Sequence, residues 1–138
     1  MPENLIIVNP AAGGGSARKF WDKYYRVIEK TLGSVESVIT TAPGEATGLA
    51  SEGLKSGFRR ILGFGGDGTL NEIINGLFHK KKPVNPEVKV GMFTYGTGRD
   101  LSRSLKLSRD LERMLDHIRR DKTRTIDTGL AKFTNHEG

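Results

Sequence analysis

The sequence predicts an α/β fold: a mainly parallel, doubly wound sheet with flanking helices. Two observations predict it. Short β-branched runs alternate with longer stretches of helical period along the whole chain. The strand-like runs end in loops rich in glycine, asparagine or threonine, as they do where an open α/β sheet binds its ligand. A chain of 138 residues suffices for one such domain with a single core and is too short for two ordinary ones.

Taken in order, Leu5-Ile6-Ile7-Val8 is a short β-branched run closed by Asn9-Pro10 and reads as a buried strand. Across 17–32, Phe20, Trp21, Tyr24, Val27, Ile28 and Leu32 recur at helical spacing, which predicts a helix with Phe20 and Trp21 in the core. Residues 35–41 read as a second strand, 45–55 as a weaker helix, and 60–64 as a third strand running into Gly65-Gly66-Asp67-Gly68. The clearest helix follows, with Leu70, Ile73, Ile74, Leu77 and Phe78 on one stripe and Asn71, Glu72 and Asn75 opposite. Residues 80–86 are polar with two prolines and are expected to be a surface connection. Residues 88–93 form the fourth strand. A last helix is expected from Ser108 as N-cap, with Asp110 and Glu112 in its first turn. Residues 123–130 offer a fifth strand.

Composition narrows the function classes. The chain has no cysteine, which excludes disulfides and thiolate metal sites and suits a reducing cytoplasm. Met1-Pro2-Glu3-Asn4 carries no basic stretch and the apolar run ends after Val8, so the start reads as neither a secretion signal nor a membrane span. The net charge of +6 favours anionic partners: nucleotide phosphates, acidic lipid headgroups or nucleic acid. Its basic clusters are Arg59-Arg60, Lys80-Lys81-Lys82 and Arg119-Arg120, each by itself most simply a solvated face.

Four strand ends hold the residues that bear chemistry: 9–16, 41–44, 65–69 and 96–100. Several glycine-rich turns on one rim suit a large anionic ligand, because glycine lets the backbone approach phosphate and a helix start supplies N–H donors. An aspartate in such a loop repels phosphate unless a cation lies between them. Asp67 therefore implies Mg²⁺, held directly or through water, with a turn or N-cap role as the structural alternative. Thr69 can donate to phosphate or cap its helix. Other signatures fail. Gly63-Phe64-Gly65-Gly66-Asp67-Gly68 matches G-x-G-x-x-G, but no acid closes the next strand as a dinucleotide fold requires. Gly13-Gly14-Gly15-Ser16-Ala17-Arg18-Lys19 does not fit a Walker loop, and His79, His117 and His136 have no partner at ligand spacing.

The run Gly65-Gly66-Asp67-Gly68-Thr69-Leu70-Asn71-Glu72-Ile73-Ile74-Asn75-Gly76-Leu77 resembles the central motif of the diacylglycerol kinase catalytic-domain family, which includes bacterial soluble lipid kinases, sphingosine kinases and ceramide kinases. Asn9-Pro10-Ala11-Ala12-Gly13 resembles its first-strand motif and Thr41-Ala42-Pro43-Gly44-Glu45-Ala46 its third signature. The resemblance implies the N-terminal fold shared with NAD kinase and phosphofructokinase. It implies an ATP site formed by Asn9, Pro10, Ala11, Ala12, Gly13, Thr41, Gly65, Gly66, Asp67, Gly68, Thr69, Glu72, Gly96 and Thr97. Asp67 would serve magnesium through water, and Asp67 and Asp100 would support catalysis.

It further implies that residues 1–122 are the ATP-binding domain and that 123–138 begin the crossover to a β-rich second domain, which supplies the main catalytic base. The sequence is on that reading a fragment, inactive alone. The expected partners are a lipid substrate at an anionic membrane surface and a nucleotide, with no nucleic acid and a homodimer open; the expected location is cytoplasmic and peripheral to the membrane. The fourth signature departs from the family pattern. Thr94-Tyr95-Gly96-Thr97-Gly98-Arg99-Asp100 carries arginine where asparagine is usual. An NAD kinase-like enzyme and a non-catalytic nucleotide sensor remain the alternatives.

Overall fold

Strand β1 (Asn4–Val8) is buried along its whole length. It is hydrogen-bonded in parallel on both edges, to β2 (Val35–Ile39) and to β3 (Arg60–Gly65). The computed structural model describes residues 2–95, 110–123, 125–126 and 128–131. Two further short strands, β4 (Phe78–His79) and β5 (Lys82–Pro83), form an antiparallel hairpin. β6 (Lys89–Thr94) adds to β3 in parallel and completes a sheet of order β2–β1–β3–β6.

A strand covered on both faces must be apolar at successive positions, and β1 is. Ile6 and Val8 point to one face, where they pack with Leu62, Phe64 and Phe93 under Trp21 and Ile28 of α1 (Ser16–Leu32) and Met114 and Leu115 of α4 (Leu111–Arg119). Leu5 and Ile7 point to the other, with Ile61, under Ala46, Ala50 and Leu54 of α2 (Glu45–Lys55) and Ile73 of α3 (Asp67–Gly76). Each of these large side chains contributes roughly 1.5–3 kcal/mol by leaving water. From β1 the chain steps outward to β2, then crosses back to β3 on β1's other edge. The winding therefore reverses between β1 and β3, and a crevice opens beyond Asn9 and Gly65.

Polar residues fasten the opposite, amino ends of the strands. The Arg60 guanidinium, largely buried, donates to Asn4 Oδ1 and to the Ile118 carbonyl, each at 3.3 Å, and lies 3.6 Å from Asp121. Lys89 hydrogen-bonds the same Asp121, so one carboxylate joins β3, β6 and the end of α4. The Lys89 hydrogen bond, then the charges of Lys89, Arg60 and Arg59, hold the Asp121 carboxyl below its usual range.

Several expectations change. Helix α4 is capped by Asp110, whose side chain accepts from the Glu112 N–H, and not by Ser108, which lies outside the described residues. Asp110 thus precedes the helix where the first turn was expected. α3 stops at Gly76, so Phe78 belongs to β4 and not to the helical stripe. β2 ends at Ile39, two residues short of Thr41. Part of the polar connection 80–86 is the turn and second strand of the hairpin, though it does lie on the surface. The described residues of 123–130 form no strand, and Ile126 and Leu130 are exposed. Phe20 and Val27 are also exposed; only Trp21 and Ile28 of that helix's large apolar residues are fully in the core. No helix among the described residues is long and apolar enough to cross a membrane.

Both turn residues of the hairpin, Lys80 (φ +48°) and Lys81 (φ +66°), are left-handed. A two-residue turn of the type I′ kind requires this, and asparagine-glycine meets it at least cost. Replacing Lys80 by Asn together with Lys81 by Gly should raise stability by about 1–2 kcal/mol, read as a higher urea midpoint. An unchanged midpoint would mean that the turn is not strained.

A carboxyl whose folded pKa is depressed stabilises the fold above its ordinary value, and that stabilisation is lost as pH falls through the folded value. The usual value for aspartate is 3.8. Asp121→Asn should therefore lower stability at neutral pH and flatten its decline below about pH 4, measured as urea midpoints across the acid range.

Candidate functional site at the strand ends

The crevice between β1 and β3 is shaped by close backbone approach. The Asn9 N–H continues the ladder to the Phe64 carbonyl at 2.9 Å. Its side chain then works in two directions: Oδ1 accepts from the Ala11 N–H at 3.1 Å, and Nδ2 donates to Thr69 Oγ1 at 3.2 Å. A single asparagine thus holds the first loop to the start of α3. Thr69 is buried and spends an acceptor position on Asn9. A Cβ at Gly65 would fall 2.5 Å from that hydroxyl, so a larger residue would push β3 and α3 apart.

The first loop passes through a 3-10 turn, Ala12–Gly15, in which Gly13, Gly14 and Gly15 have φ of +61°, +66° and +94°. A Cβ at Gly13 would lie 2.5 Å from the Tyr95 carbonyl oxygen, whereas no described residue lies within 4 Å of one at Gly14 or Gly15. The loop is therefore pressed against the end of β6 on one side, and on the other it borders space that no described residue fills. Only glycine takes this path without strain, and it lines that space with backbone.

Facing the loop is the start of α3. Gly66 precedes it, and no side chain among the described residues caps it. Its first N–H groups have no intrahelical partners and carry the positive end of the helix dipole. Gly68 is exposed, and no described residue lies within 4 Å of a Cβ built there. Asp67 stands at the same point, partly buried.

The start of α2 is already occupied. Glu72, from α3, accepts from the Gly44 N–H at 3.0 Å and the Ala46 N–H at 3.3 Å, while the Thr47 hydroxyl donates to the Glu72 carbonyl at 2.9 Å. The Glu72 carboxylate thus serves as an N-terminal cap supplied from a neighbouring helix. Thr41 is similarly engaged: its N–H and its hydroxyl donate to Glu45 Oε2 at 2.5 and 3.1 Å. Ala42 N–H adds a third bond to the same carboxylate oxygen, at 3.3 Å. The Thr41 backbone bond first, and its hydroxyl second, lower the Glu45 pKa from its ordinary value. These bonds fix the second loop beside the first without offering Glu72 to a ligand. The structure places Asn9, Pro10, Ala11, Ala12, Gly13, Gly65, Gly66, Asp67, Gly68 and Thr69 together at the crevice, with Thr41 at its flank.

Gly96, Thr97, Arg99 and Asp100 lie outside the described residues. Thr94 and Tyr95, which open the fourth signature and lead to them, are described. Thr94 is buried, and its Oγ1 has no hydrogen-bond partner among the described residues. The Tyr95 ring stacks on Phe64 and on Phe20, each with centroids 4.6 Å apart. The signal for Phe20 was available: Phe20, Tyr24 and Val27 follow at i, i+4 and i+7, a stripe beside the Trp21–Ile28 one.

Among the described residues no three side chains of His, Asp or Glu converge as a metal site. With Glu72 engaged, Asp67 is the carboxylate the described rim can direct at a cation. The donor set thus fits a magnesium ion shared with phosphate oxygens and water, and not an all-protein cage.

Comparison with known proteins gives the family. The family model of the diacylglycerol kinase catalytic domain matches residues 3–131. The chain belongs to that family. It is 32% identical over 130 residues to the diacylglycerol kinase of Bacillus subtilis, covering 94% of this chain and 42% of that protein. To the diacylglycerol kinase of Staphylococcus haemolyticus it is 33% identical over 124 residues, covering 90% of this chain and 36% of the relative. A crystal structure of a diacylglycerol kinase from Bacillus anthracis superposes with a TM-score of 0.69 at 28% identity, over 87% of this chain and 42% of that one. The chain thus spans about two-fifths of the length of these relatives.

Within this diacylglycerol kinase-type domain, Glu72 joins α2 to α3 and should be needed for order at the rim. Glu72→Ala leaves two N–H groups without their acceptor and should cost about 2 kcal/mol, with Glu72→Gln costing less. Urea denaturation of both variants checks it; a loss of under about 0.5 kcal/mol in Glu72→Ala would show that water caps α2 equally well.

Proposed function

We propose that this chain forms the ATP-holding part of a lipid kinase, an enzyme that transfers the γ-phosphoryl group of ATP to a lipid hydroxyl such as that of diacylglycerol. The observation that carries the reading is the crevice itself. A glycine-only loop and an uncapped helix start face each other at the point where the sheet's winding reverses, in a chain of the diacylglycerol kinase family.

In this reading the backbone around Gly13–Gly15 wraps the phosphates closely, and the N–H groups at the start of α3 donate to their oxygens. Asp67 orients a magnesium ion, directly or through water. Such an ion, when bound, neutralises charge on the phosphate oxygens during transfer. Asn9 and Glu72 touch neither ATP nor metal. They keep the three loops at fixed separation, so that the phosphates meet donors already in position.

Residues 123–138 lead, in the same reading, toward a β-rich domain that brings the lipid and the group that deprotonates its hydroxyl. Among the described rim residues no acid is left for that task once Asp67 serves the metal and Glu72 caps α2. The 138-residue chain should bind Mg²⁺-ATP but phosphorylate no lipid above background.

Asp67→Ala should keep its fold and lose the magnesium-dependent part of nucleotide affinity, by about tenfold or more. Titration calorimetry with ATP, with and without magnesium, measures it. Magnesium-dependent affinity equal to that of the wild type in the folded variant would sink the assignment.

A further inference from the structure

The basic clusters separate once their partners are considered. Arg59 and Arg60 lie 3.6 and 3.7 Å from Glu3, and Arg119 and Arg120 lie 3.5 and 2.8 Å from Asp116. Lys80, Lys81 and Lys82 have no ion-pair partner among the described residues. Yet they are the ones gathered most tightly, by a two-residue turn whose left-handed lysines are a costly choice of residue. Backbone strain combined with like charges in one turn is an arrangement that folding alone does not favour.

The hairpin forms one wall of a groove with a volume of about 600 Å³. Lys80, Lys82 and His79 line it from the hairpin, and Lys55 reaches it from the last turn of α2. Phe78 and Val84 give it an apolar side, and no aspartate or glutamate lines it. Lys55 likewise has no ion-pair partner among the described residues. The hairpin follows the carboxyl end of α3 and precedes the amino end of β6, which puts the groove at the end of the sheet opposite the crevice. It is not a continuation of the nucleotide site.

We propose that this groove is a second anion site, separate from the nucleotide crevice, and that it takes an organic phosphate. Lys55, Lys80 and Lys82 converge on the phosphate group, and the apolar body attached to it lies against Phe78 and Val84. Three lysines lining one groove with an apolar wall fit a compact amphiphilic anion. A nucleic acid backbone would call for a longer basic track. The same chemistry is offered by a phospholipid headgroup in a bilayer and by a soluble phosphate ester. The proposal does not depend on the kinase reading.

The test uses the 138-residue chain and two probes: hexyl phosphate in solution, and phosphatidylcholine vesicles with and without phosphatidic acid. Hexyl phosphate should shift the backbone amide resonances of residues 78–84 and Lys55. In the variant combining Lys55→Gln, Lys80→Gln and Lys82→Gln its affinity should fall by about tenfold or more. The companion variant with arginine at the same three positions should retain binding, which separates loss of charge from loss of fold. Asp67→Ala should bind hexyl phosphate as the wild type does, even where its ATP binding is lost.

Sedimentation with the phosphatidic acid vesicles, abolished in the glutamine variant, would assign the site to a bilayer headgroup. Binding of hexyl phosphate without such sedimentation would assign it to a soluble ester. Undiminished affinity in the glutamine variant, or shifts confined to the crevice, would overturn the site. Equal affinity for inorganic sulfate would overturn the role given to the apolar wall.

Discussion

Everything at the rim depends on how firmly β1 is held, because its end is where the first loop and the start of α3 are joined. Its five residues are buried, covered by a pair of helices on each face and hydrogen-bonded along both edges. A strand so constrained has no freedom to tilt, and Asn9 leaves it at a defined height and direction. That is why one side-chain amide can span from Ala11 to Thr69. The crevice inherits its shape from the core rather than from the loops that line it.

The loops then divide their polar groups between holding one another and facing the crevice. Glu72 and Glu45 are spent on backbone N–H groups of the second loop and the start of α2. At the start of α3, where Asp67 stands, no side chain among the described residues caps the helix. A motif that reads as one block of ligand-facing residues is thus split by function. Its glycines and aspartate belong to the crevice, and its glutamate, one helical turn further on, belongs to the scaffold. This division has a physical logic: a carboxylate aimed at phosphate would oppose binding, while the same carboxylate at a helix start is favoured by the dipole.

The four strands of the parallel sheet and the first three helices were legible because short apolar runs and helical periods mark them; 45–55 coincides with α2 and 60–64 falls within β3, whereas the β4–β5 hairpin read as a plain connection and 123–130 as a strand. The glycine-rich crevice was legible for a related reason, since glycines at strand ends have few other uses. What sequence could not supply was partnership. Nothing local distinguishes Glu72 as a cap for a helix whose start lies 28 residues earlier at Gly44. Ser108 and Asp110 are both good N-caps by residue type, and it is Asp110 that accepts from the Glu112 N–H. Phe20 and Val27 share the helical period of the core residues but lie to one side of the buried stripe, where a small angular difference decides exposure. The two-lysine turn defied turn chemistry altogether, because neither residue favours positive φ.

The central position of β1 has a consequence for biosynthesis. It is made before either of its partners, so one edge stays open until β2, from Val35, has been made and the other until β3, from Arg60, two helices and a strand after β1. Until Gly65 has emerged, the nascent chain carries a Leu-Ile-Ile-Val segment with one edge unpaired and each face still short of one of its two helices. Such a segment is the sort that adheres to other chains or to a chaperone. Sealing it takes long-range parallel pairing, the slowest kind to form. The strand that gives the finished domain its rigidity is the one that leaves the unfinished domain most exposed.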